Sequence, residues 1–164
     1  MSSARSVNDW LEARDRRQEA LIRALQEKNR ETLLTLSLNI PGADKTPPGA
    51  ERLFACALKV VHKIGPFEVP CTLIAETRDA LGYFALVRCA ETPLSAKQKA
   101  VALETSHPVA RLLDIDVYRP SGEQIGRREI GLPARTCLLC DAAAVDCMRA
   151  QRHAPAGGIA RPHR

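Results

Sequence analysis

Residues 93–118, PLSAKQKAVALETSHPVARLLDIDVY, join a helix pattern to a strand pattern and thereby indicate the class of fold. The stretch opens with a proline, which is typical of a first helical turn, and Ser95 and Gln98 have the spacing of a capping box. A His-Pro pair then ends the helix. Residues 112–118 alternate apolar and polar side chains, which predicts a half-buried strand. This order of elements favours an α+β fold.

The rest of the chain contains further elements of both kinds. Apolar spacing predicts three more helices, over residues 8–29, 50–64 and 141–152. Runs of β-prone residues predict four more strands, over residues 33–40, 69–76 and 81–88 and from about Gln124 onward. We expect one α+β domain over residues 1–153, with a mixed, mostly antiparallel sheet flanked by helices. Residues 154–164, rich in Ala, Gly, Pro and Arg, are expected to form a disordered tail.

Length and composition exclude several classes of protein. The chain has 164 residues, of which 45% are hydrophobic and 26% charged, as suits one globular domain. No stretch reaches the roughly 18 consecutive apolar residues of a membrane span, and the charged N-terminal segment does not resemble a signal peptide. We therefore expect a cytoplasmic protein without membrane contact. In a reducing compartment, its six cysteines are expected to be metal ligands, buried apolar thiols or catalytic residues, not a disulfide framework.

Charge is distributed unevenly along the chain. Lys and Arg number 24 against 19 Asp and Glu, a net charge of +5, and the excess lies in residues 1–30 and 119–164. Basic ends indicate anionic partners such as phosphates, an acidic protein or nucleic acid. Aromatic residues make up only 4% of the chain, which disfavours a nucleic-acid reader that stacks bases.

Asp114 and Asp116 flank one apolar residue in the predicted strand. Alternation places both carboxylates on one face, close enough to bind the same cation. Magnesium takes hard oxygen ligands from one or two aspartates and completes its shell with water and substrate phosphates. The pair is therefore a candidate Mg²⁺ site for phosphoryl or nucleotidyl transfer. The alternative is an exposed strand with two solvated acids.

Arginines follow the turn that we predict at Ser121-Gly122. In a hairpin through that turn, Asp114 lies opposite Arg127 or Arg128, so that one guanidinium shares the aspartate face. Such an arginine would hold a phosphate beside the metal. A cross-strand salt bridge of little energetic value is an equal alternative.

A second cluster of candidate ligands occupies residues 137–153 and consists of Cys137, Cys140, Cys147 and His153. Two cysteines at this close spacing can take one side of a tetrahedral zinc, which the third cysteine and the histidine can close as a structural site. His153 is out of phase with one helical face, so the last predicted helix must end before it. The alternative is a set of buried thiols beside a solvated histidine. The other cysteines are expected to pack as apolar thiols: Cys56, Cys71 and Cys89.

Basic residues near the N-terminus are candidate polyphosphate ligands, namely Arg14, Arg16 and Arg17 on the first helix and Lys45 after the Pro41-Gly42 turn. A solvated helix face is the alternative reading of the arginines. The chain has no Walker A loop, no Gly-x-Gly-x-x-Gly motif and no arrangement of nucleophile and base typical of a hydrolase.

Four segments together resemble a known family. They are residues 14–18 (RDRRQ), 39–45 (NIPGADK), 104–117 (ETSHPVARLLDIDV) and 128–140 (REIGLPARTCLLC). In this order they resemble the citrate lyase holo-acyl-carrier-protein synthase family, also called apo-citrate lyase phosphoribosyl-dephospho-CoA transferase. The resemblance covers about residues 11–153.

The resemblance implies a reaction in which triphosphoribosyl-dephospho-CoA donates its phosphoribosyl-dephospho-CoA group to a serine of the apo acyl-carrier subunit of citrate lyase, releasing diphosphate. Asp114 and Asp116 would hold Mg²⁺ and help to activate the serine. Basic residues would bind the phosphates: Arg14, Arg17, Lys45, Arg111 and Arg128. The nucleophile belongs to the carrier protein, which accounts for the missing triad.

The resemblance also implies a nucleotidyltransferase-like fold, although the Gly-Ser element that usually precedes Asp-x-Asp in polymerase-β-like enzymes is absent. Glu104 and Glu129 are candidates for a third carboxylate. The alternative function is a non-enzymatic module, in which the cysteine cluster is a zinc knuckle and the basic ends contact nucleic acid or protein.

Overall fold

The computed structural model describes residues 6–27, 30–64 and 69–153, so the tail predicted over residues 154–164 lies outside the described residues. The helices are α1 (Val7–Gln26), α2 (Ala50–Lys59), α3 (Pro93–Thr105) and α4 (Ala144–Arg149). The strands are β1 (Thr32–Leu38), β2 (Cys71–Asp79), β3 (Gly82–Cys89) and β4 (Leu113–Tyr118). The predicted α+β class is confirmed. Within the described ranges, no helix is both long and apolar enough to cross a membrane.

The strands form one open sheet in the order β2-β3-β1-β4. Each of the three pairings is antiparallel, so the sheet described here contains none of the parallel pairs that a mixed sheet would have. β1 and β3 lie in the middle and are buried along most of their length. β4, which carries the two aspartates, is an edge strand.

Helices cover the two faces of the sheet unequally. On one face, α2 and α3 pack over a large core that includes Leu36, Phe54 and Ile115. On the other face, α1 buries a smaller cluster that includes Phe84 and Leu86 of β3. Because side chains alternate along a strand, Asp114 and Asp116 lie on the second face, beside the smaller cluster.

The N-terminus of α1 is closed by the side chain of Ser6. Its hydroxyl accepts a hydrogen bond from the Asp9 N–H (3.2 Å), and the Asp9 carboxylate accepts one from the Ser6 N–H (2.7 Å). This reciprocal capping box satisfies two backbone donors at the start of the helix.

Charged side chains close the free edge of β4. The Ile115 N–H donates to Glu104 (2.8 Å), and the Ile115 carbonyl accepts from Lys97 (3.2 Å). Lys97 and Glu104 are seven positions apart, so they project from the same face of α3. Both are buried, with 6% of Lys97 and 4% of Glu104 exposed. The hydrogen bonds satisfy backbone groups that would otherwise be available to another strand.

The hairpin between β2 and β3 turns later than the sequence predicted. Its loop is the pair Ala80-Leu81, whereas the predicted turn began at Thr77. The Asp79 carboxylate accepts a hydrogen bond from the Leu81 N–H (2.8 Å) and so replaces a backbone acceptor in the turn. Gly82 follows at a φ of +96°, a conformation that favours glycine.

The predicted capping box of α3 is wrong. Thr92 is the N-cap, and its hydroxyl accepts from the Ser95 N–H (3.4 Å). Ser95 lies inside the first turn and donates its own hydroxyl to Glu91 (2.7 Å). The helix therefore begins with its proline at the first position, which leaves one fewer N–H to satisfy.

The predicted return strand after β4 is also wrong. The chain forms a single bridge, between Tyr118 and Gln124, and then a 3-10 turn over Arg127–Ile130. Glu129 stabilises this turn by accepting a hydrogen bond from the Gly126 N–H (2.9 Å). The backbone thus leaves the sheet before a hairpin can form.

Two of the three cysteines outside the C-terminal cluster are packed as predicted. Cys71 and Cys89 are buried, with their sulfur atoms 2.9 Å apart on adjacent strands. Burial and the hydrogen bond with Cys89 raise the pKa of Cys71 to about 12, so this thiol stays protonated. The prediction for Cys56 is wrong, because its position on α2 faces solvent.

Candidate functional site

Asp114 and Asp116 lie together on the partly covered face of β4. Their partners on β1 are Ser37 and Thr35, respectively. Both side chains are half-buried, with 44% of the Asp114 side chain exposed, and Asp116 accepts a hydrogen bond from Gln124 Nε2 (2.8 Å). Burial and the neighbouring charge of Asp114 raise the pKa of Asp116 to about 6. A bound cation would relieve this concentration of negative charge.

Arg135 is the arginine that the fold brings to the aspartates. Its Nη1 lies 3.2 Å from Asp114 Oδ1, and its Nη2 donates to the Leu113 carbonyl (2.8 Å) and to the Arg111 carbonyl. The guanidinium is therefore fixed by backbone acceptors at the edge of β4. Arg135 is not among the site residues predicted from the sequence, although its place just before Cys137, in the arginine-rich segment that carries the resemblance, was a signal.

The predicted positions of Arg127 and Arg128 opposite Asp114 are wrong, because the return strand does not form. Arg127 instead donates to Oε2 of the buried Glu104 (3.4 Å). Arg128 is exposed on the 3-10 turn. A phosphate-binding role for Arg128 stays a prediction, without the cross-strand geometry that first suggested it.

The two candidates for a third carboxylate, Glu104 and Glu129, already accept hydrogen bonds from a backbone N–H group and from an arginine. Glu104 accepts hydrogen bonds from the Ile115 N–H and from Arg127, one at each of its oxygens. Glu129 accepts hydrogen bonds from the Gly126 N–H and from Arg119. Both glutamates therefore hold local structure around β4.

The structure places Arg17 near the edge of the sheet formed by β2, which is the edge opposite β4. Its guanidinium donates to both oxygens of Asp79 (2.8 and 2.6 Å) and to the Gly82 carbonyl (3.0 Å), and it lies 4.8 Å from the centre of the Phe84 ring. These contacts fasten α1 to the β2-β3 hairpin. Asp79 lies on β2, three strands away from β4.

The other N-terminal arginines are less enclosed. Arg14 is exposed and pairs with Asp15 (3.3 Å). Arg16 pairs with Glu12 (3.4 Å) and lines a small cleft of about 270 Å³ beside Arg17 and Arg78. The structure does not bring Arg16 and Arg17 to the aspartates. Their predicted contact with phosphate stays a prediction.

Lys45 and Arg111 hold loops in place. The Lys45 ammonium donates to the Ile40 carbonyl (2.6 Å), and burial lowers the pKa of Lys45. This contact braces the turn after β1. Arg111 donates to the Thr136 hydroxyl (2.9 Å) and to the Cys137 carbonyl (3.0 Å), which joins the segment before β4 to the C-terminal cluster.

The structure brings together the four C-terminal candidate ligands. Cys137 Sγ lies 3.3 Å from His153 Nε2, Cys140 Sγ lies 3.5 Å from the same nitrogen, and Cys140 Sγ lies 3.3 Å from Cys147 Sγ. All four ligand atoms lie within 4.8 Å of one another. In the part of the chain that the structure describes, this is the one cluster of three or more such ligands. It could hold a metal ion.

The backbone around the cluster explains how His153 reaches it. α4 ends at Arg149, and Gln151 has a φ of +46°, so the chain reverses before the histidine. The predicted end of the helix before His153 is thus confirmed. Although burial raises the pKa of Cys137, hydrogen bonds from the N–H groups of Leu139 and Cys140 and from the thiols of Cys147 and Cys140 together lower it, which favours the thiolate that a metal binds.

A cleft of about 580 Å³ lies beside this cluster. One wall is the turn after β1, with Asn39 and Pro41, and the other wall belongs to residues 135–153. Arg135 also lines the cleft, so the same residue borders the cleft and contacts Asp114. We call this space the C-terminal cleft.

Comparison with known proteins settles the family. The family model described as "Apo-citrate lyase phosphoribosyl-dephospho-CoA transferase" matches residues 5–157. The chain belongs to this family. The apo-citrate lyase phosphoribosyl-dephospho-CoA transferase of Citrobacter koseri is 33% identical over 154 residues, covering 91% of the chain and 81% of the relative. The family expected from the four segments is thereby confirmed.

Two further relatives have similar coverage. The probable apo-citrate lyase phosphoribosyl-dephospho-CoA transferase of Streptococcus pyogenes is 31% identical over 152 residues, which is 90% of the chain and 78% of the relative. The Escherichia coli O139:H28 transferase of the same name is 30% identical over 153 residues, which is 90% of the chain and 81% of the relative. The family likeness therefore extends through the aspartates and the C-terminal cluster.

Proposed function

We propose that the chain transfers the 2'-(5''-phosphoribosyl)-3'-dephospho-CoA group from its triphosphate precursor to a serine of the apo acyl-carrier subunit of citrate lyase. The serine oxygen forms a bond to the α-phosphorus of the triphosphate while the bond from that phosphorus to the diphosphate breaks. The serine loses its proton, and diphosphate leaves with the bonding electrons. The match of the family model over residues 5–157 carries this proposal.

The aspartates are suited to the magnesium that this chemistry uses. Asp114 and Asp116 would hold the ion, because they offer two hard carboxylates on one face and because burial and the charge of Asp114 raise the pKa of Asp116, which a cation would counteract. When bound, Mg²⁺ neutralises charge on the transferred phosphate and lowers the pKa of an attacking oxygen. Arg135 would orient Asp114 and offer a cation beside the phosphates.

The Cys/His cluster is proposed to hold zinc in a structural role. Three sulfurs and one imidazole nitrogen within 4.8 Å are a ligand set typical of closed tetrahedral zinc sites. Such a site needs all four positions and leaves none for substrate. We propose that the transferase domain spans residues 1–153 and includes this segment, residues 137–153.

A cytoplasmic location belongs to the same proposal. The six cysteines are free thiols, which suits a reducing compartment. The alternative function, a zinc knuckle that binds nucleic acid or protein without catalysis, is not favoured by the family to which the chain belongs. Retardation of nucleic acid with a steep salt dependence, without transfer to the carrier, would support it instead.

The decisive experiment is labelling of the purified apo carrier in the presence of Mg²⁺ and the triphosphate precursor. We expect the double variant Asp114→Asn/Asp116→Asn to lose about 100-fold or more of the labelling rate, because it loses charge at the reacting phosphate. Glu19→Gln is the matched control, since Glu19 is an exposed acid on α1. Circular dichroism checks that each variant folds. Labelling by the double variant at the native rate would contradict the assigned site.

A further inference from the structure

The C-terminal cleft has the size of a ligand site, and one of its lining residues contacts Asp114. Its volume of about 580 Å³ lies within the range of pockets that hold small molecules and cofactors. Arg135 lines it and at the same time lies 3.2 Å from Asp114 Oδ1. A phosphate held at Asp114 would therefore place the group bonded to it at the mouth of this cleft.

The cleft wall combines large apolar side chains with a few amides. Leu139 and Met148 line it and are 44% and 71% exposed, which is high for residues of their size and apolarity. Asn39 and Gln151 contribute side-chain amides that can donate and accept hydrogen bonds. Apolar walls with a small number of polar groups suit a flat ring that has apolar faces and a polar edge.

We propose that the C-terminal cleft binds the adenosine part of the precursor, with the adenine ring between the aliphatic side chains. This inference rests on the proposed function, because that function supplies the dephospho-CoA group. In that group the reacting phosphate is carried by a ribosyl unit that is bonded to the ribose of adenosine, so adenosine is the first part of the dephospho-CoA beyond this ribosyl unit. The diphosphate and the pantetheine arm lie further along the molecule.

Three of the four candidate metal ligands would also form part of the adenosine-binding wall. Cys137, Cys147 and His153 belong both to the ligand set and to the cleft wall. The opposite wall, the turn after β1, is held by the hydrogen bond from Lys45 to Ile40. Metal binding would thus hold the shape of one wall without touching the reacting phosphate.

The test measures binding of three probes by titration calorimetry, using the full chain with its metal retained and no carrier present. 3'-Dephospho-CoA and adenosine 5'-monophosphate contain adenosine, whereas 4'-phosphopantetheine does not. We expect 4'-phosphopantetheine to bind at least about tenfold more weakly than 3'-dephospho-CoA, and adenosine 5'-monophosphate to retain most of the affinity. Tighter binding of 4'-phosphopantetheine than of the nucleotide would overturn the proposal.

A pair of leucine variants locates the site. We expect Leu139→Asn to weaken 3'-dephospho-CoA binding and to raise the KM for the precursor, each by about 5- to 20-fold, with kcat little changed. Leu94→Asn is the matched control, because Leu94 on α3 is also 44% exposed and does not line the cleft. Equal effects of the two variants, or none from Leu139→Asn, would overturn the proposal.

These experiments distinguish a failure of the adenosine site from a failure of the proposed transfer reaction. If the carrier is labelled normally and Leu139→Asn has no effect, the cleft assignment alone fails. If no carrier is labelled but 3'-dephospho-CoA binds and Leu139→Asn weakens it, the adenosine site stands and the transfer reaction fails.

Discussion

The environment of Asp116 lowers the stability of the fold at neutral pH. Its pKa is raised from 3.8 to about 6, first by burial and then by the charge of Asp114. Between these two pKa values, the folded chain binds the proton more tightly than the unfolded chain does. The free energy of unfolding therefore falls as the pH rises from about 4 to 6, and the penalty is complete above that window.

Asp116→Asn is predicted to stabilise the protein at neutral pH while reducing transfer. We expect the free energy of unfolding at pH 7.5 to rise by an amount on the order of 2 kcal/mol, because the buried charge is removed and the amide oxygen can still accept from Gln124. Urea unfolding from pH 4 to 8, without added magnesium, measures the effect. A variant with the same pH slope as the native chain would contradict it.

The contact between α3 and β4 depends on the buried Glu104. Glu104→Ala leaves the Ile115 N–H and Arg127 without this acceptor, and we expect a loss of about 3 kcal/mol in the free energy of unfolding. Glu104→Gln keeps the shape and one acceptor, so it should lose less. Urea unfolding of the two variants makes the comparison.

An exposed acid on α1 provides the control for this measurement. Glu19→Ala changes a side chain that is 64% exposed and should shift the free energy of unfolding by less than about 0.5 kcal/mol. If Glu104→Ala lost no more than this control, the edge of β4 would not depend on the glutamate.

Across the whole chain, the six cysteines fall into three environments that a thiol reagent can separate. With metal retained, we expect only the exposed Cys56 to react quickly with 5,5'-dithiobis(2-nitrobenzoic acid). A chelator should release the three C-terminal thiols and raise the count of fast thiols to about four. Cys71 and Cys89 should react only in denaturant, because both are buried.

Two further measurements complete the thiol experiment. Cys56→Ser should lower each count by one, and elemental analysis should find about one zinc per chain. A thiol count that does not change with the chelator, or zinc below about a tenth of an equivalent, would remove the metal assignment.

Sequence patterns predicted those features of the fold that depend on residues close together along the chain. The spacing of apolar residues predicted α1, β1 and β4 within a few positions, because the side-chain period distinguishes a helix from a strand. The same alternation placed Asp114 and Asp116 on one face. Predictions were wrong at a turn and at a helix cap. Asp79 accepts a hydrogen bond in the β2-β3 turn and Thr92 accepts one at the start of α3, but neighbouring polar residues could equally have supplied these acceptors.

The amino-acid sequence by itself determined the α+β class, the paired aspartates, the Cys/His ligand set and the family. Only the tertiary structure decided that Arg135 meets Asp114, that Glu104 serves the backbone of β4 and that the ligand cluster borders a cleft. These contacts join residues 11 to 22 positions apart in some cases and segments more than 90 positions apart in others. They depend on how segments that are distant along the chain pack against one another, which no local pattern encodes.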